Sequence, residues 1–399
     1  RIENIKGGFH VNRKNLVYIS EEDNARISNS QLFTDDLILS KVGNSIGFFA
    51  RVDDELGTCN ISENNIGIKL SAYNEKQKHS ILCYLNSRYG QILLFRRKSG
   101  NAQPKLNVDD VCFIPVPTFS NDFMSRLSSA ITCSDRINRQ SKGVYKEAST
   151  LLMKELKFNP STVSTKGTTE KSLSESFGSS GRLDAEYYQP KYDDLFALLA
   201  GMPTKALDKI VEMAKSIEPG SEYYGNEGIP FIRVSDISTM GINTPSIRIP
   251  KTTVPSIEKL YPKKDTILFS KDGSVGIAYK VEDDLEAVTS GALLHFRVKN
   301  PSEVLPDYLA LVLNSEIVQL QAERDASGAI IQHWKPGDIA DVVIPILPYD
   351  VQRDISDKVQ ESFALRRQAE RLIQTAVRAV EIAIESDETA AMAYIEANP

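Results

Sequence analysis

One segment of this chain occurs twice. Asp36-Leu-Ile-Leu-Ser-Lys-Val-Gly-Asn-Ser-Ile-Gly47 returns as Asp265-Thr-Ile-Leu-Phe-Ser-Lys-Asp-Gly-Ser-Val-Gly276, and both copies run on into a strand-like stretch that ends in an acidic turn, Asp53-Asp54 or Asp283-Asp284. Three further matches follow in the same order: Tyr84-Leu-Asn-Ser87 with Val312-Leu-Asn-Ser315, Ser99-Gly100 with Ser327-Gly328, and Phe113-Ile-Pro-Val116 with Val343-Ile-Pro-Ile346. The offset stays close to 230 residues, so the chain is a tandem duplication. A length of 399 residues suits it, because a single hydrophobic core seldom serves so long a chain.

Each copy opens with alternating and β-branched runs between Gly, Asn and Asp turns, which predicts strands, and continues into a short helix, over 76–94 in the first and 306–324 in the second. A long helical pattern then follows each copy. Leu127, Ile137, Val144 and Leu151 mark an apolar stripe in the first, and Ile355, Val359, Ile373 and Val380 mark one in the second. Narrow stripes on charged helices fit a coiled-coil seam, and two rods of matching length pack most simply on each other; the plainer alternative packs each helix on its own domain. The fold class is therefore α+β, with two tandem β-rich domains, each followed by a long helix. The expected boundaries are residues 1–117 and 182–349 for the domains, 118–158 and 350–388 for the helices, 159–181 for a Ser/Thr/Gly-rich flexible linker, and 389–399 for a frayed tail. Arg1-Ile-Glu-Asn-Ile5 aligns with Arg233-Val-Ser-Asp-Ile237, so the first domain is expected to lack the leader that 182–231 supplies to the second. The start at Arg1 fits a fragment, a processed form or part of a longer polypeptide.

Catalytic signatures are absent. There is no phosphate-cradling Gly-rich loop, no nucleophile elbow and no Asn/Asp-Pro-Pro-aromatic tetrad. Glu155-Leu-Lys157 has nuclease-like spacing but falls on the first long helix, where a solvated face explains it. The adjacent acidic pairs after the strands fit turns better than a Mg²⁺ site. Four cysteines and four histidines are scattered, which gives no metal cluster and fits a reducing cytoplasm. No apolar run is long enough to cross a bilayer.

Features for recognition are present. The net charge of −6 excludes a globally basic protein but leaves room for a local basic face. Between Lys76 and Val108 there is no acidic residue, while Lys76, Lys78, Arg88, Arg96, Arg97, Lys98 and Lys105 are basic, with Asn101 and Gln103 among the last of them. Arg forks suit phosphates and guanine edges, and amides suit adenine edges. The equivalent stretch of the second copy offers Arg324, Gln332, His333 and Lys335 instead, with Trp334 open to either a core or a stacking role. Two turns, with Lys41, Asn44 and Ser45 in one and Lys271 and Ser274 in the other, fit phosphate contact or plain hairpins equally.

At these residues the chain resembles the specificity subunit of type I restriction–modification systems. The resemblance is carried by Arg182-Leu-Asp-Ala-Glu-Tyr-Tyr-Gln-Pro-Lys-Tyr192, Gly228-Ile-Pro-Phe-Ile-Arg-Val-Ser-Asp-Ile237, the two Ser-Lys-x-Gly turns, Ser99-Gly-Asn-Ala-Gln-Pro-Lys-Leu-Asn107 and Ile344-Pro-Ile-Leu-Pro-Tyr-Asp-Val-Gln352, and together with the duplication it spans nearly the whole chain. It implies two target-recognition domains that each read half of a bipartite DNA site, an antiparallel coiled coil that sets the spacer, and two methyltransferase subunits docked on it, with or without restriction subunits. AdoMet, Mg²⁺ and ATP would belong to those partners, with no cofactor and no catalysis in this chain. Pro117-Thr-Phe-Ser-Asn121 departs from the pattern by lacking the Gln that closes the second domain. A different class of function, a duplicated protein- or glycan-binding scaffold that dimerises through its helices, fits the overall acidity.

Overall fold

The run Leu37-Ile-Leu-Ser40 is apolar on both of its alternating faces, which suits only a strand covered on both sides. In the computed structural model Leu37–Ser40 is buried throughout and lies between Phe49–Arg51 and Asn65–Ile68, antiparallel to both. The structure describes all residues except 6–8, 14, 99–104, 160–167, 254, 329–330 and 399, and for Asn44 it describes the backbone alone. It divides into two units, residues 1–141 with 364–399, and residues 142–363.

In unit one the short strand Phe9–His10 completes a four-stranded sheet, parallel to Phe49–Arg51. One face, with Leu37, Leu39, Phe49 and Ile66, packs on Leu82, Leu85, Leu94, Phe123 and Leu127. The other, with Ile38, Ala50 and Val52, closes on Ile5, Val11 and Leu32. The helix expected over 76–94 is two helices, Glu75–Asn86 and Arg88–Phe95. Ser87 makes the break: its hydroxyl donates to Tyr84 O at 2.6 Å and accepts from Gly90 N at 3.3 Å, so it stops one helix and caps the next. Gly90 has no alternative there, because a Cβ would lie 2.3 Å from Tyr84 O.

Unit two contains the same three-stranded core. Ile267–Ser270, also fully buried, lies between Ala278–Lys280 and Leu293–Val298. Phe269 faces Ala278 and Leu294 as Leu39 faces Phe49 and Ile66. The fourth strand differs: Val211–Lys215, from the leader segment, adds antiparallel to Leu293–Val298. Here too the expected helix is two, Pro306–Leu313 and Glu316–Asp325, with the Ser315 hydroxyl donating to Val312 O at 2.6 Å at the break.

The two long patterns are helices Asn121–Glu155 and Tyr349–Glu385. Within unit one, Ser134 Oγ donates to Ala369 O at 2.8 Å, Ile137 packs with Ala369 and Leu372, and Leu127 shares a core with Val380 that Ile373 borders. Within unit two, Ile355 and Val359 share a core with Leu152 and Leu156 that Leu151 borders, and Lys358 pairs with Glu147 at 2.8 Å. Val144 is buried as well.

Gln352, the residue without a counterpart in the first copy, is 1% exposed and straps the start of the second long helix to unit two. Its Oε1 accepts from Leu305 N at 3.0 Å, and its Nε2 donates to Glu303 O at 3.0 Å and Leu347 O at 2.9 Å. Leu305 N precedes a helix that has no side-chain cap. In unit one the equivalent helix caps itself through Asn74 and Gln77, which removes the need for such a strap.

One expectation about the ends of the chain needs correction. The tail is not frayed: Glu388–Ala397 is a helix, capped by Asp387 accepting from Ala390 N at 2.8 Å, with Ala391 fully buried and Glu388 accepting from Ser120 N at 3.0 Å. An Asp cap ahead of Glu and alanines is a good helix start that the composition of so short a segment concealed. The expected flexible linker falls partly outside the described residues, at 160–167; beyond them, Phe177–Ser180 is helical.

Buried charge joins sheet to helix in both units. In unit two Lys280, 5% exposed, lies 3.0 Å from Asp307, 3.1 Å from Glu282 and 3.4 Å from Asp265, and Gln360 of the long helix donates to Asp307 at 2.8 Å. Burial alone would lower the Lys280 pKa, but Asp307 and Glu282 outweigh it and raise the pKa. In unit one Arg51 bonds Asp35 at 2.8 Å and pairs with Asp135 of the long helix, while His79 sits 3.1 Å from Arg51 and 2.9 Å from Ser128. Burial would raise the Asp35 carboxyl, yet the hydrogen bond with His79 and the nearby Arg51 hold it at about 2.

His295 on the strand Leu293–Val298 has the opposite fate. Burial lowers it to about 4 from 6.5, and its Nε2 lies 2.7 Å from the Thr289 hydroxyl. The unfolded chain therefore takes up this proton first, and stability should fall as pH drops from about 6.5 towards 4, by on the order of 3 kcal/mol at most from this group. Urea unfolding across that range should show the loss, and His295→Gln should flatten it. An unchanged slope in the variant would reject His295 as the source.

Candidate nucleic-acid interface

The Ser-Lys-x-Gly turns close the first two strands of each core. Gly43 and Gly273 take left-handed φ values of 73° and 74°, which glycine adopts at little cost. Much of the turn backbone is bonded within its own unit. Lys41 N donates to Asn64 O at 3.2 Å, Lys271 N to Ala292 O at 2.9 Å, Gly47 N to Ser40 O at 2.9 Å and Gly276 N to Ser270 O at 2.8 Å. Those amides serve a hairpin rather than a phosphate cradle. The Ser45 hydroxyl is likewise engaged, 3.0 Å from Ser40 Oγ, and Ser274 O accepts from the Ser270 hydroxyl.

The structure brings each turn to the polar loop that lies some sixty residues further along the chain. In unit one Val42 bridges to Lys105, and Leu106 N donates to Lys41 O at 3.0 Å. In unit two Asp272–Gly273 pairs with Gln332–His333, and Trp334 N donates to Lys271 O at 2.8 Å. Trp334 therefore occupies the position of Leu106, and both are 1% exposed. Its ring lies 5.7 Å from that of Phe269, so its role is core.

The two assemblies differ in charge. In unit one Arg96, Arg97, Lys98 and Lys105 are exposed. Arg97 donates to Phe113 O at 3.2 Å and lies 5.9 Å over that ring, and Lys98 lies 5.7 Å over Phe95. Asn101 and Gln103 lie outside the described residues, as does the side chain of Asn44. Arg88, at the far end of the same helix, pairs with Glu385, and its amide donates to Glu381 at 2.8 Å. In unit two the cations meet carboxylates. Asp272, which stands where unit one has Val42, pairs with Lys271 and sits 2.8 Å from His333 Nδ1. Arg324 bonds Asp325 at 2.7 Å and is stacked between the rings of Phe196 at 4.3 Å and Tyr187 at 5.1 Å, which makes it a strut for the leader segment. Gln332, His333 and Lys335 remain exposed.

The acidic pairs are turns, as their position suggested. Asp53 accepts from Leu56 N at 2.9 Å and pairs with Arg13 at 2.6 Å, and Asp284 accepts from Lys264 N at 2.9 Å. Among the described residues no three His, Cys, Asp or Glu side chains are grouped to hold a metal ion, and no helix is long and apolar enough to cross a membrane.

Two glutamines at this interface escaped the sequence reading. Gln91 Nε2 donates to Gly47 O at 3.0 Å and Leu85 O at 2.8 Å, and Gln319 Nε2 donates to Gly276 O at 2.8 Å and Leu313 O at 3.3 Å. The signal was available, since each follows the Asn-Ser helix break by four residues.

The family model for the type I restriction modification DNA specificity domain matches residues 202–373. Among solved structures, the chain is similar to the HsdS subunit from Thermoanaerobacter tengcongensis, with 15% identity and a TM-score of 0.32 over 89% of this chain and 82% of that one. It is similar also to the type I restriction–modification S subunit from M. genitalium, with 13% identity and a TM-score of 0.34 over 91% and 83%. A third, from work on assembly and conformational transition of the type I R-M system, has 14% identity and a TM-score of 0.33 over 92% and 82%. No curated relative matches the chain. At TM-scores this low the superpositions carry no argument, and the family match stands by itself. The matched residues 202–373 hold the strand, turn and loop assembly of unit two, so the similarity to the type I restriction modification DNA specificity domain falls on that assembly.

Proposed function

We propose that the chain is the non-catalytic DNA sequence-recognition subunit of a type I restriction–modification system, with each β-rich domain of a tandem pair reading one half of a bipartite target. The carrying observation is the turn-and-loop assembly, built on the same strand register in both units but lined by different side chains. One scaffold with two surface chemistries suits two different half-sites. Lys41 and Lys271 in the turns, Arg96, Arg97, Lys98 and Lys105 in the first loop, and Gln332, His333 and Lys335 in the second are the contacts this reading favours.

The long helices would pair as an antiparallel coiled coil whose length sets the unread spacer. The order of contacts within unit one supports this: Leu127 shares a core with Val380 while Ile137 packs with Ala369 and Leu372, so later residues of one helix meet earlier residues of the other. Two methyltransferase subunits would dock on this frame and bring AdoMet, while Mg²⁺ and ATP would serve restriction subunits where those join. Footprinting with the methyltransferase partner present should show two short protected half-sites around an unprotected spacer. A single continuous footprint, or no salt-sensitive binding at all, would favour the scaffold reading instead.

A further inference from the structure

From the matched geometry we infer that Gln91 and Gln319 are positioning residues that hold the lysine-bearing turns in place for DNA, an inference that rests on the function proposed above. Each amide joins two otherwise independent pieces. One hydrogen bond goes to the carbonyl of the glycine that ends the turn, Gly47 or Gly276, and the other to a carbonyl in the last turn of the preceding helix, Leu85 or Leu313. The helix itself is pinned by the serine break, Ser87 or Ser315, whose carbonyl accepts from the glutamine's own amide at 2.9 Å and 3.0 Å.

The glycine side of the contact is equally constrained. Gly47 and Gly276 have φ of 92° and 81°, conformations that L side chains rarely adopt. A Cβ on Gly47 would meet Gln91 Oε1 at 3.1 Å and Phe95 Cζ at 3.0 Å, and one on Gly276 would meet Gln319 Nε2 at 2.7 Å. The turn has thus been left bare where the glutamine approaches it. Upstream of that glycine the same turn carries Lys41 or Lys271, whose carbonyl receives the far end of the recognition loop. A strut at this point fixes turn and loop together, whichever side chains the loop presents. Its presence in both units, beside loops that share little sequence, argues for a role in presenting the surface rather than in any one base contact.

The test uses the full chain in complex with its methyltransferase partner. In Gln319→Met the side chain keeps its length and apolar stem but loses both donors. Amide exchange at Gly276 and Ile277 should accelerate by about tenfold, the scale of one buried hydrogen bond. DNA affinity should fall by about the same factor, while exchange in the strands Ala278–Lys280 and Leu293–Val298 stays unchanged. In a Lys271→Ala background the glutamine substitution should add little further loss, because it acts through the placement of that turn. Gln319→Asn, which retains a donor but falls short, guards against misfolding of the first variant and should accelerate the same amides. Unchanged exchange at Gly276 in both variants overturns the strut. Accelerated exchange with undiminished affinity, or losses that simply add to that of Lys271→Ala, overturns its role in positioning. Wild-type affinity in Lys271→Ala alone would instead reject the turn as a DNA contact, and with it the functional reading beneath.

Discussion

Replacing Arg96, Arg97 and Lys98 together by Glu should weaken DNA binding of the methyltransferase-bound complex on the order of a thousandfold near physiological salt, and should reduce the salt slope by about three. The three side chains are exposed at the end of the helix Arg88–Phe95, in a stretch of sequence without acidic residues. Each phosphate contact contributes through counterion release, and reversal adds repulsion to the lost attraction. Arg97→Gln alone should show a slope change of about one. The equivalent experiment in unit two should be weaker, because Lys271 already shares Asp272 with His333 and Arg324 is held by Asp325. Filter binding over a salt series checks both. Equal slopes for wild type and the triple variant would remove this loop from the interface.

The second large effect concerns the fold. Lys280→Met should cost about 3–5 kcal/mol, because it leaves the buried Asp307 and the half-buried Glu282 without their cation. Burial already raises the Asp307 carboxyl. In the variant the folded chain would bind a proton there that the unfolded chain, at an ordinary carboxylate pKa, leaves off. Its deficit should therefore shrink as pH is lowered towards the carboxylate range. The double variant Lys280→Met/Asp307→Leu should recover much of the loss by replacing the pair with apolar packing. Denaturant unfolding of all three chains is the measurement, and a single variant as stable as wild type would show that the cluster is solvated.

What could be read in advance was what local chemistry dictates. The Ser-Lys-x-Gly repeat revealed the matching strands, since alternation and glycine turns are local signals, and the apolar stripes located the long helices to within a few residues. The breaks at Ser87 and Ser315 were hidden because apolar spacing runs through them, and only the serine hydroxyls divide each helix. The site was legible in pieces. Turn and loop were both noticed, but their meeting depends on long-range pairing, Val42 with Lys105 and Asp272 with His333, which no local pattern encodes. Arg324 was noticed because charge is visible in a sequence, whereas the rings of Tyr187 and Phe196 that stack on it are not. Trp334 was ambiguous for the same reason, and burial assigns it to the core.

Fifteen positions separate Gln91 from Leu106, and fifteen separate Gln319 from Trp334. Each span is thus tethered at both ends in the same way, by a glutamine side chain to the carbonyl of the turn glycine and by a backbone amide to the carbonyl of the turn lysine. A segment moved from one head to the other would meet attachment points at the same contour length. Under the function proposed above, such a molecule would acquire a new preference through one short exchange, without redesign of either sheet, in the way a key is recut without changing its bow.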